Sequence, residues 1–154
     1  MTCSMSNADT IRSPIYVAIQ EQPLSLDDLW HYLAAAEGGG IAIFGGTTRR
    51  VTGGLRTTQL SYEAHESMAL SEMRRLSEEA ATRWDTLRIG MMHRIGIVPV
   101  SETSVLIGVA TRHRGPAFEA ARFLIDELKV SVPVWKKEHF EDGTTEWQGD
   151  AWVR

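Results

Sequence analysis

The chain has 154 residues, 43% of them hydrophobic and 23% charged, and a formal net charge of -4. That is the size of one domain able to bury its own core, with the composition of an ordinary globular protein. The negative balance argues against a nucleic-acid binder held by bulk electrostatics, and a single cysteine, Cys3, leaves no intrachain disulfide framework and no cysteine-built metal site.

Residues 1–14 (MTCSMSNADTIRSP) read as a polar, flexible leader ahead of one domain at 15–154. The leader lacks the apolar region of a secretory signal, and no apolar run is long enough to cross a bilayer, so a cytoplasmic location is the default expectation.

IYVAIQ (15–20) has strand character. LSLDDLWHYLAAA follows as a helix, with Ser25 and Asp28 at capping-box spacing and Leu26, Leu29, Trp30 and Leu33 as its apolar stripe, ended by the glycines at 38–40. Residues 40–65 read as two strands around a glycine-rich loop. SMALSEMRRLSEEAATRW is a second helix with Met68, Met73, Leu76 and Ala80 inward. Two further strands flank the region of Pro99, and GPAFEAARFLIDELKV is a third helix, opened by Pro116, with Phe118, Ala121, Ile125 and Leu128 inward. Beyond Pro133, VPVWKKEHF is extended, and Asp142-Gly143 marks a tight turn. Hairpins interleaved with three main helices predict an α+β domain of antiparallel strands.

Reactive groups concentrate in four places. In FGGTTRR (44–50), paired glycines admit backbone amides to an anion and the arginines offer forked donors, although glycine pairs before a hairpin also serve simply as turns. TRHRGP (111–116) sets His113 and Arg114 at a helix start, where free amides favour negative charge, or in a plain exposed loop. His93-Arg94 sits among apolar neighbours and reads as structural.

The fourth place holds every lysine. Of 16 basic residues only Lys129, Lys136 and Lys137 are lysines. Three of 16 basic residues can cluster by chance; the other reading is that arginine stays charged at any accessible pH, whereas a partly buried amine can lose its proton and act as base or nucleophile. Lys129 falls at the edge of the third helix's buried face, where partial desolvation is expected. Lys136 faces the same side of its strand as Glu138, and Lys137 the other. From Pro116 to Lys129 is ~20 Å along the helix at 1.5 Å per residue. If His113, Arg114 and Lys129 serve one small ligand, they come from two copies, which predicts a homodimer with composite sites. No nucleophilic triad and no metal-ligand motif is present, so the expected site is metal-free, cationic and suited to a phosphorylated small molecule.

HRIG (93–96), HR followed by AFEA (113–120), DELK (126–129) and VPVWKKE (132–138), with FGGTTR and YEAH upstream, resemble the large, catalytic subunit of molybdopterin synthase in order from about residue 15 to 153. The resemblance implies an α/β-hammerhead-like fold and a homodimer within a heterotetramer whose small subunits are ubiquitin-like. It implies sulfur transfer from a thiocarboxylated small-subunit tail to cyclic pyranopterin monophosphate, forming the dithiolene of molybdopterin, with no cofactor. By position, Lys129 and Lys136 match the catalytic lysines. Arg49, His113 and Arg114 match the substrate-binding positions, with Thr47, Thr48, Lys137 and Glu138 lining the same region, and Phe44 would contact the partner's tail. The family's cross-dimer arginine follows a tryptophan, where this chain reads QGDAWVR and ends at Arg154. The alternative is a non-catalytic module that binds a phosphorylated ligand or a protein tail in the same cationic pocket.

Overall fold

The computed structural model describes residues 14–148; the rest of the leader, with Cys3, and the end of the chain, with Arg154, lie outside the described residues. In chain order the elements are β1 (Ile15–Gln20), α1 (Leu26–Leu33), β2 (Gly40–Thr47), β3 (Val51–Thr52), β4 (Leu55–Ala64) and α2 (Glu66–Trp84). Then come β5 (Arg88–Arg94), β6 (Gly96–Pro99), β7 (Thr103–Thr111), α3 (Arg114–Ser131), β8 (Val134–Phe140) and β9 (Thr145–Gln148). They form two sheets. The first runs β1-β5-β7-β2, with β1 parallel to β5 and the other pairs antiparallel. The second runs β3-β4-β8-β9, antiparallel throughout, with β6 also paired to β4.

Alternation along β5 and β7 builds the core on both faces of the first sheet. Ile89, Met91, Val105, Ile107 and Val109 point to one face, where they meet Met73, Leu76 and Ala80 of α2 and Ala117, Ala121, Leu124 and Leu128 of α3. Met92, Leu106 and Ala110 point to the other and meet Leu29, Tyr32 and Leu33 of α1. Gly90 and Gly108 are cross-strand partners on that second face. A Cβ on Gly90 would fall 2.5 Å from Leu29 Cδ1, and one on Gly108 2.3 Å from Leu33 Cδ1, so the missing side chains let α1 lie close to the sheet.

α1 starts where Ser25 accepts from the Asp28 amide at 3.1 Å, as the spacing implied, but it stops at Leu33, short of the glycines. Those glycines serve the strand instead: a Cβ on Gly39 would lie 2.2 Å from the Arg112 carbonyl oxygen, so this segment passes too close to the end of β7 for a side chain. The apolar stripes also differ from expectation at Leu26, Trp30, Met68 and Phe118, which are exposed. Each lies to the side of its helix's buried line, and Tyr32, Ala69 and Ala120 take inward positions in their place. β3 and β6 were not expected; β3 is a two-residue arm turned back on β4 by Gly53 and Gly54, both at positive φ. Among the described residues no helix is long and apolar enough to cross a membrane.

Candidate functional site

Where the second sheet meets the first, a cleft of about 660 Å³ opens, floored by β4 and β8 and walled by the end of β2 and the last turns of α3. Its cationic groups come from three separate stretches. Lys129 stands in the last turn of α3, Lys136 on β8, and Arg49 in the loop after β2. Register explains Lys136: its Cα partners are Tyr62 on β4 and Gln148 on β9, so the three side chains share one face of the sheet, turned to the cleft. Two residues further, Glu138 returns to the same face, opposite Leu60.

Lys136 is half-buried. Burial, and next the positive charge of Lys129, hold its amine below the ordinary lysine value of 10.5; Arg49 adds to this and Glu138 opposes it. Lys129 is exposed in the single chain, contrary to the expected desolvation, because it lies one position past Leu128 on the solvent side of the helix edge.

Glu138 is 3% exposed, with thin cover beside the open cleft. Burial works to raise its pKa. Hydrogen bonds outweigh that: the Thr57 hydroxyl donates to Oε1, the Gln148 amide donates to Oε2 at 2.6 Å, and Thr52 adds a third, with Lys136 nearby, so the carboxyl sits below its usual range. A charged carboxylate at the base of a cationic cleft favours the protonated form of the neighbouring amine.

Two groups that sequence reasoning did not assign to a site also line the cleft. Tyr62 and His93 meet edge to face, ring centroids 5.0 Å apart at 68°, across the junction of the two sheets. His93 Nδ1 lies 2.8 Å from the Arg94 carbonyl oxygen, to which it donates, and burial pushes the imidazole down to about 4. The apolar neighbours of His93 concealed it, since the sequence holds no sign that Tyr62 of a different sheet would reach it.

The remaining expected residues divide. Thr47 and Phe44 of β2 line the cleft, Phe44 38% exposed at its edge. Thr48 does not: it is buried, its hydroxyl donating to the Val98 carbonyl oxygen at 3.3 Å and its backbone paired with Ser101 and Glu102, because the bulge after Gly46 turns it inward. Lys137 points to the other face of β8, its Nζ 5.5 Å from the centre of the Trp147 ring. His113 and Arg114 are exposed at the first turn of α3, the end away from Lys129. Within one chain, then, Phe44, Thr47, Arg49, Lys129, Lys136 and Glu138 come together, and Thr48, His113, Arg114 and Lys137 do not join them.

Residues 19–131 match the family described as MoaE protein. A molybdopterin synthase catalytic subunit of Halalkalibacterium halodurans is 41% identical over 133 residues, covering 86% of this chain and 85% of the relative. The human molybdopterin synthase catalytic subunit is 39% identical over 84% of this chain and 68% of its own length. The crystal structure of molybdopterin synthase from Staphylococcus aureus superposes with a TM-score of 0.81 at 32% identity, covering 89% of this chain and 98% of that one. A complex of subunits 1 and 2 of molybdopterin-converting factor from Helicobacter pylori shares the fold, with a TM-score of 0.70 at 18% identity. The chain belongs to the MoaE family of molybdopterin synthase catalytic subunits.

Proposed function

We propose that this chain takes sulfur from the thiocarboxylated C-terminus of a ubiquitin-like small subunit and transfers it to cyclic pyranopterin monophosphate, building the dithiolene of molybdopterin. The observation that carries the reading is the meeting of Lys129, Lys136, Arg49 and Glu138 in one cleft, in a chain whose three lysines all lie within residues 129–137 and whose other 13 basic residues are arginines. The Helicobacter pylori complex of two converting-factor subunits supports a small-subunit partner.

The tail enters past Phe44, and its negative thiocarboxylate meets Lys129 and Arg49. Entry covers Lys129, which is exposed in the free chain, and so desolvates it at the moment it is needed. While still bound to the tail's acyl group, the sulfur forms a bond to a substrate carbon in place of a carbon–oxygen bond, the displaced oxygen leaving as water or staying on the phosphate as its ring opens. Water then attacks that acyl carbon; the acyl–sulfur bond breaks, the tail leaves as a carboxylate and sulfur stays on the substrate. Lys136, already lowered by burial and by Lys129, has a neutral fraction that takes the proton from water. A second tail repeats the transfer. Arg49 and a second copy's His113 and Arg114 hold phosphate and pterin, since the length of α3 separates the latter pair from Lys129 within one chain. The chain therefore works as a homodimer with a small subunit bound to each copy.

The test is reconstitution: this chain, a thiocarboxylated small subunit and cyclic pyranopterin monophosphate, assayed for molybdopterin. Product is expected from the unaltered chain and not from Lys136→Arg. Complex formation with no product from the unaltered chain would instead support the non-catalytic binding module.

A further inference from the structure

We propose that Tyr62 is a positioning residue for Lys136, its ring, braced by His93 and Ser104, shielding one side of the amine from water. The inference rests on the proposed sulfur transfer for its relevance to turnover, but the shielding itself stands on geometry.

Tyr62 and Lys136 are direct partners on β4 and β8, so their side chains lie side by side on the cleft floor, with Gln148 on the far side of the lysine. The Tyr62 ring is held from two directions. The imidazole of His93 abuts it at 5.0 Å between centroids, and its hydroxyl shares a hydrogen bond with Ser104. Ser104 is in turn anchored, donating to the Gly46 carbonyl oxygen at 3.3 Å, in the bulge that ends β2. His93 is fixed by Arg94 and is buried from the other side. The ring is thus held both at its edge and at its hydroxyl.

The shifts of the phenol and the amine run in opposite directions. Burial raises Tyr62 above its ordinary value of 10.0, the Ser104 hydrogen bond works against this and Glu138 adds to it, while His93 is held neutral down to about 4. Around Lys136 the charged and titratable groups are Lys129 and Asp126 of α3, Arg49 after β2, Tyr62 of β4, His93 of β5 and Glu138 of β8. Among these, Lys129 and Arg49 push its proton off and Glu138 holds it on. Burial is the largest influence, and Tyr62 is the large side chain directly across from Lys136 on the neighbouring strand.

The experiment is competitive labelling of the intact chain with a trace amine-acylating reagent across a pH series. Acylation at Lys136 is read by mass spectrometry, with Lys137 on the opposite face as internal reference. The variants are Tyr62→Phe, which keeps the ring, and Tyr62→Thr, which removes it with another good strand former. The labelling midpoint of Lys136 is expected to stay in place in Tyr62→Phe and to move up toward the ordinary 10.5 in Tyr62→Thr, with the Lys137 curve unchanged in both. An unmoved midpoint in Tyr62→Thr overturns the proposal. So does a rise in Tyr62→Phe, which would assign the effect to the hydroxyl. The readout needs neither partner nor substrate, so it stands apart from the fate of the sulfur-transfer reading.

Discussion

His93 makes the chain sensitive to acid in a defined window. Its imidazole is 4% exposed, and burial lowers its pKa from 6.5 to about 4. At pH 7 the ring is neutral in the folded chain and mostly neutral in the unfolded one, so it contributes little pH dependence. As pH falls below 6.5 the unfolded chain takes up a proton that the folded chain refuses, so stability falls until the folded pKa is reached. The gap between 6.5 and about 4, at ~1.36 kcal/mol per pH unit, amounts to about 3 kcal/mol. That is a large share of a typical domain's 5–15 kcal/mol. Urea unfolding at fixed protein concentration, followed by circular dichroism at half-unit steps from pH 7 to 4, measures it in the unaltered chain and in His93→Asn. Asparagine keeps a donor for the Arg94 carbonyl but cannot titrate. The variant starts less stable because a smaller side chain leaves a gap beside Tyr62; its curve should nonetheless lose about 3 kcal/mol less on acidification. Parallel curves for the two proteins would refute the assignment.

Glu138→Gln removes a covered charge while keeping its shape. At pH 7 it should cost about 2 kcal/mol, as hydrogen bonds from Thr57, Thr52 and Gln148 lose their charge assistance. The Glu138 carboxyl lies below 4.5 in the folded chain, so its contribution is full above 4.5 and fades as pH falls through the folded value; a thermal-melt difference that failed to shrink below pH 4 would contradict this. Leu29→Ala empties the contact between α1 and Gly90 and should cost about 2–5 kcal/mol in urea unfolding. Lys136→Arg keeps the cation and loses the accessible neutral amine, so turnover should drop by roughly 100-fold or more with little change in substrate affinity, read as kcat against KM. Lys129→Arg should do the same if its amine, once covered by the tail, takes part in chemistry.

Much of this was legible in the sequence where local rules govern. Ser25 three residues before Asp28, positive-φ glycines in the Asp142-Gly143 turn and between β3 and β4, and alternation through β5 and β7 all signal structure over a few residues. The split of Lys136 and Glu138 from Lys137 followed from the two-residue period of a strand. What escaped depends on register between distant segments. Thr48 sits beside Thr47 and Arg49 in sequence, yet the bulge after Gly46 commits it to Val98. Tyr62 and His93 belong to different sheets, and only the junction of those sheets makes them one wall of the cleft. The burial expected at Lys129 falls on Lys136, because β8 lies inside the second sheet between β4 and β9 while the last turn of α3 stays at the rim.

The central claim is that this chain moves sulfur from a protein tail to a pterin. The most direct measurement follows the tail itself: the small subunit is mixed with the chain, with and without cyclic pyranopterin monophosphate, and its intact mass is recorded over time. The account predicts that the thiocarboxylate becomes a carboxylate only when both chain and substrate are present, with two tails consumed for each molybdopterin formed. A tail that stays sulfurated in the complete mixture, despite forming a complex with the chain, would contradict it.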